Sequence, residues 1–169
     1  MFRKRPKIKV ELTKIDKKII RFGWVLLLLN LGLILVFYSD LPEKIPTHFN
    51  LRGEVDGYGE RFTIWILAVV GILLYYALNL VISKIPAYKH NYPVKLTEKN
   101  APTIYRLSLK MMVLLNISIV FLFLLISTHT ILISKDIYTF PLIQIVLIGT
   151  IFIILMPFFF IYKMFKVPK

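Results

Sequence analysis

An all-α integral membrane protein with four transmembrane helices is the fold class this sequence predicts, and three observations predict it. First, 57% of its 169 residues are hydrophobic and the mean hydropathy is +0.72, well above the apolar share of an ordinary soluble domain. Second, four apolar runs, 22–38, 62–82, 111–133 and 140–162, contain no Asp, Glu, Lys or Arg. At about 1.5 Å per residue each reaches roughly 25 to 35 Å, enough to cross a hydrocarbon core of about 30 Å. One such run could be buried in a soluble core, but four in so small a chain could not all be covered. Third, the net charge of +13 is unevenly placed: nine Lys/Arg precede the first run, six lie between the second and third, and three follow the fourth. The alternate connections carry only Lys44, Arg52, Arg61 and Lys135, against six carboxylates. Eighteen basic residues on one side and four on the other is the positive-inside pattern, which predicts both termini in the cytoplasm. The charge is therefore read as topology and attraction to anionic lipid rather than as a nucleic-acid surface.

Residues 1–21 read as a basic cytoplasmic arm. Val10, Leu12, Ile15, Ile19 and Ile20 are spaced among Lys14, Lys17 and Lys18 as in a short amphipathic helix on the inner leaflet, or as a solvated lead-in. No small-x-small cleavage site follows Tyr38, so the first run is expected to be an uncleaved signal anchor. It places Trp24 and Tyr38 at the two interfaces and Asn30 near mid-membrane. An amide there needs a partner, since hydrocarbon supplies none.

The connection 39–61 gathers most of the unusual chemistry. Pro42 and Pro46 stiffen its first half, because each fixes its own φ and disfavours helix in the residue before it. Gly53, Gly57 and Gly59 permit tight turns in the second half. Residues 45–50 alternate enough to be extended, and Gly53 can turn the chain back through Glu54, Val55 and Asp56. A small hairpin on the outer membrane surface results, with Phe49, Val55 and Tyr58 facing down and Pro46 limiting its ladder.

In the second run Trp65 marks the outer end, Ala68 and Gly71 offer a small face for close helix approach, and Asn79 lies towards the inside. The inner connection 84–110 is basic and rich in tyrosine. Thr97 or Asn100 can cap a helix there, with Pro102 in its first turn, that continues into the third run. Tyr92, Pro93, Lys95 and Asn100 are its candidate contact residues for a cytoplasmic regulator. The third run carries Asn116 and, towards the outside, His129. A six-residue connection, 134–139, makes the third and fourth runs antiparallel neighbours. Gln144 lies near the outer end of the fourth run, and Pro157 should kink that helix or mark its last turns.

His48, Asp56 and His129, with Asn50, are the candidate functional residues, gathered at the outer side. Two imidazoles and a carboxylate suit a divalent metal or an acid–base pair, although their spacing matches no recognised metal motif. The plainer readings are a satisfied interfacial histidine and amides that join helices at about 0.6 to 2 kcal/mol each. Absence of cysteine excludes thiol catalysis, disulfides and Cys-based zinc sites. No nucleophile elbow, P-loop or dinucleotide fingerprint is present.

Leu41-Pro42-x-x-Ile45-Pro46-x-His48-Phe49-Asn50-x-x-Gly53-x-x-Asp56-Gly57-Tyr58-Gly59 resembles the hallmark of bacterial membrane proteins with the domain of unknown function 1648, the SdpI-like immunity and signalling family. The inner Asn91-Tyr92-Pro93-Val94-Lys95-Leu96-Thr97 with Asn100 is similar to a segment of the same proteins, so the resemblance runs from Leu26 to Met112. It divides the chain into the arm 1–21, an SdpI-like domain 22–112 and a C-terminal transmembrane hairpin 113–169. It implies a multi-pass protein of the bacterial inner membrane, not an enzyme, that meets an extracytoplasmic peptide or toxin and reports to a cytoplasmic regulator. No cofactor is expected beyond a divalent metal. The rival readings are a small membrane enzyme or metal-site protein at the outer interface, and an accessory subunit of a transporter.

Overall fold

The computed structural model describes residues 5–137 and 140–169, for residues 140 and 141 the backbone only. Along them run α1 (Lys14–Phe37), β1 (Lys44–Phe49), β2 (Val55–Glu60), α2 (Ile64–Lys84), α3 (Ala101–Ser134) and α4 (Phe140–Phe165). All four helices are long and apolar enough to cross a membrane, and the chain is a multi-pass membrane protein. Positions 138 and 139 of the expected six-residue connection, and Arg3 and Lys4 of the arm, lie outside the described residues.

α1 begins well before the apolar run, and its start is written in Thr13 and Asp16. The Thr13 hydroxyl accepts from the Asp16 amide at 3.2 Å, and the Asp16 carboxylate accepts from the Thr13 amide at 2.8 Å. This reciprocal capping box satisfies two donors that a helix start leaves orphaned. The expected amphipathic surface helix over residues 10–20 is thereby corrected. Residues 5–13 have no regular secondary structure, and Lys14, Lys17, Lys18 and Arg21 belong to the spanning helix itself. α3 starts just after Asn100, takes Pro102 in its first turn and runs unbroken for 34 residues, but the expected side-chain cap is not made: the Asn100 oxygen turns back to the Thr97 amide. Pro157 does not end α4, which continues to Phe165; the carbonyl it leaves without a donor is tolerated within a spanning helix.

α3 is the central post. At one end Ile131 packs with Ile34, Leu41, Ile45, Ile64 and Ala68. In the middle Val120 meets Leu26, Leu27 and Tyr75. At the other end Tyr105 and Leu109 pack with Ala87, and the arm's Ile8 and Val10 lie against them. α4 rests on α3. The outward faces stay apolar: Leu28, Leu73 and Phe158 are all more than half exposed, which suits contact with lipid tails.

Lipid tails are as apolar as leucine, so helices in a bilayer gain by close approach and polar contact. A Cβ at Gly71 would lie 3.1 Å from the Phe123 ring, so the glycine lets α2 come close to α3. Asn116 donates to the Tyr75 carbonyl at 3.3 Å, the interhelical role foreseen for the amides. Asn79 donates to the same carbonyl at 3.0 Å from within its own helix. Asn30 is buried with neither amide atom hydrogen-bonded, so the partner expected for it is not among the described residues.

Candidate functional site

The hairpin closes on Asn50. Its backbone amide donates to the Glu54 carbonyl at 2.9 Å, and Gly53 donates to the Asn50 carbonyl at 2.9 Å. The Asn50 side-chain oxygen accepts from the amides of Arg52 at 2.8 Å and Glu54 at 3.0 Å. Gly53 has φ +82, the left-handed position that completes a three-residue hairpin loop. The Asn50 side chain is therefore engaged in closing the turn. The tip beyond it presents Leu51, 92% exposed.

β1 and β2 pair antiparallel, with irregularities on either side of His48. Pro46 faces Tyr58, His48 faces Gly57 and Phe49 faces Val55, so Thr47 and Asp56 are each an extra residue. Bulges of this kind re-aim side chains. Here they bring His48 Nδ1 and Asp56 Oδ1 into direct contact. Both side chains stay open to solvent, at 71% and 43%. With Nδ1 committed to the carboxylate, Nε2 is the ring atom left for a ligand. Gly57 makes room for this pair, since a Cβ there would lie 3.0 Å from the His48 Cβ; one at Gly59 would lie 2.8 Å from Thr47. Pro42 precedes β1, and Pro46 is buried within it.

His129 stands apart from this pair. It is 1% exposed, its ring lies 4.7 Å from that of Phe49, and neither nitrogen has a hydrogen-bond partner among the described residues. Phe49 thus packs onto α3, whereas Tyr58 is 65% exposed. The composite of His48, Asp56 and His129 is thus a pair on the surface and a single buried imidazole behind Phe49. Among the described residues no three His, Asp or Glu side chains gather to hold a metal ion.

Beneath β1 lies a cavity of about 580 Å³, walled by Ile45, Phe49, Leu67, Thr130, Ile143 and Val146 among others, with His48 at its edge. Its walls come from the hairpin, α2, α3 and α4. It is mostly aliphatic, and large enough for a hydrophobic side chain or chain segment.

The other end of the molecule is built by residues the sequence reading passed over. Asp16, 3% exposed, forms a salt bridge to Arg106, whose guanidinium also donates to the Glu11 carbonyl at 3.2 Å. Tyr105 donates to the Pro6 carbonyl at 2.9 Å, and Arg5 to the His90 carbonyl at 2.7 Å. Arm and inner connection are one module. The spacing Thr13-x-x-Asp16 was the legible signal for it. Of the candidate contact residues, Asn100 and Tyr92 hold this module together: Asn100 accepts from Thr97 at 2.8 Å and donates to Lys95 at 3.1 Å. Tyr92 donates to the Ala87 carbonyl at 2.8 Å, and its ring lies 5.2 Å from that of Tyr105, tilted by 39°. Pro93 and Lys95 are exposed.

Burial pushes the Tyr92 hydroxyl up to about 12, against an ordinary value of about 10. The fold favours the neutral phenol, so its stabilisation is complete below about pH 10 and is lost as pH rises through about 12. The difference in tyrosinate absorbance between the parent and Tyr92→Phe should therefore titrate near the upper value; a midpoint near 10 would place this phenol in water.

Residues 25–72 match the family model described as Domain of unknown function (DUF1648). The matched stretch takes in the second half of α1, the whole hairpin and the first part of α2. It supplies His48, Asp56 and the near walls of the cavity, while α3 and α4, with His129, Thr130 and Ile143, lie outside it. The match stops short of the segment from Asn91 to Asn100, and so covers the first part of the stretch expected to Met112. A protein of Archaeoglobus fulgidus described as uncharacterized is 39% identical over 59 residues, which are 35% of this chain and 32% of the relative. The match thus spans about a third of that relative, which is archaeal rather than bacterial. No solved structure matches the chain.

Proposed function

We propose that this protein is a receptor of the SdpI-like immunity and signalling kind. The hairpin faces the cell exterior and meets a peptide or toxin, and the arm-and-loop module faces the cytoplasm and a regulator. The observation that carries the reading is the solvent-open His48–Asp56 pair, held by two bulged strands above an aliphatic cavity. A polar pair beside an apolar recess suits a ligand that is part peptide and part hydrophobe. The DUF1648 match over this hairpin supports the family function, and the distribution of lysine and arginine supports the orientation in a cytoplasmic membrane.

Orientation is tested first. The chain has no cysteine, so single cysteines at Glu54 and Lys95 can be labelled on intact cells with an impermeant reagent. Glu54→Cys should label and Lys95→Cys should not; the reverse would overturn the reading. The site is tested by complementation in a strain lacking the protein. His48→Ala and Asp56→Ala should each abolish function at unchanged membrane abundance, and the double variant should be no worse than either, because the two side chains act as one unit. Full function in both single variants would remove the pair from the site.

A further inference from the structure

At the arm end, two recesses join into one groove. The upper one, about 730 Å³, is lined by Lys7, Lys9, Lys17 and Lys84 with the tip of α2. The lower one, about 380 Å³, descends between α1 and α2 past Arg21, Trp24, Ile20 and Asn79. Leu12, Lys17, Ile82 and Ser83 line both. The upper part is cationic: its one carboxylate, Glu11, lies 3.6 Å from the Lys9 ammonium. The lower part turns apolar on Ile20, Trp24 and Ile82.

One polar atom in this groove lacks a partner. The side-chain oxygen of Asn79 is buried and accepts no hydrogen bond among the described residues, while its nitrogen is engaged with the Tyr75 carbonyl. A buried acceptor left unsatisfied is costly, and a turn of the Asn79 side chain toward the recess it lines would offer this oxygen to a hydroxyl in the groove.

We propose that this groove holds one anionic phospholipid. The phosphate sits among Lys17, Arg21 and Lys84, a head-group or glycerol hydroxyl reaches Asn79, and one acyl chain lies along Trp24, Ile20 and Ile82. Charge complementarity selects the head group, and the change from cationic to apolar lining along one groove matches the order of head and chain in a lipid. The occupant is the same whichever side of the membrane this end faces, so the site stands apart from the receptor reading. It also ties lipid binding to the arm, since Lys7 and Lys9 belong to the segment pinned by Tyr105 and Arg106.

The test is native mass spectrometry of the full chain in detergent with phosphatidylglycerol and phosphatidylcholine. The parent should retain a single phosphatidylglycerol in preference to phosphatidylcholine. Lys17→Gln with Lys84→Gln should weaken that retention about tenfold, whereas Lys95→Gln with Lys99→Gln, which removes the same charge from the exposed loop, should change it less than twofold. Ser83→Trp, at an exposed position shared by both recesses, blocks the groove without altering charge and should also lose the lipid. Equal losses in the two lysine pairs would mean diffuse attraction and overturn the site. So would equal binding of phosphatidylcholine, or full retention by Ser83→Trp.

Discussion

Arg106→Ala should lower stability by about 3 kcal/mol, the largest loss expected from a single change at the arm end. Asp16 is 3% exposed and caps α1 through Thr13. Without the guanidinium its carboxylate would remain buried and without its cation, and breaking a buried pair costs about 3 to 5 kcal/mol. The same change removes the bond to the Glu11 carbonyl, so the arm should release from α3. Unfolding in mixed micelles would measure the loss, and proteolysis at Lys7 and Lys9 would report the release. Asp16→Asn placed in the Arg106→Ala background should recover part of the stability, because it keeps the cap and removes the stranded charge. A double variant less stable than Arg106→Ala would show that the charge itself was not the cost.

Gly53→Val should undo the hairpin while leaving the helices in place. At φ +82 a β-branched residue is strained by about 1 to 3 kcal/mol, and a Cβ there would also press to 2.9 Å on Ile143 of α4. A two-stranded ribbon has little stability of its own, so this exceeds what the turn bonds of Asn50 can hold. The pairing that sets His48 against Asp56 should then be lost, and complementation with it. Amide hydrogen exchange should quicken across 44–60 and stay unchanged in α3. The two causes can be parted: Gly53→Ala with Ile143→Ala relieves the contact but not the φ, and should recover only part of the protection.

Some of the molecule is legible in the sequence alone. Four uncharged apolar runs dictate four spanning helices because a bilayer leaves the backbone no alternative but to bond within itself. Asn100 followed by Pro102 marked the start of α3, and Gly53 marked the turn, since each rests on the local conformational limits of one or two residues. Thr13 and Asp16 were just as local, and the signal for the earlier start of α1 lay in their spacing, overshadowed by the apolar pattern that begins at Phe22.

What depended on distant partners could only be settled by the tertiary structure. His48 and Asp56 meet because Thr47 and Asp56 are extra residues on either side of the His48–Gly57 pair, and register across a bulge is a property of two strands together. His129 lies in the C-terminal half of α3, at the hairpin end, yet Phe49 stands against it, so helical position alone could not place it in the site. By sequence Arg106 is one more positive charge of the 84–110 connection; only the fold sets Asp16, 90 residues earlier, beside it. Hydrophobic length determines that this chain spans a membrane four times; which polar side chains then face one another is decided by how α3 seats the arm, the hairpin and the other helices around itself, because each such pairing is a contact between segments far apart in sequence.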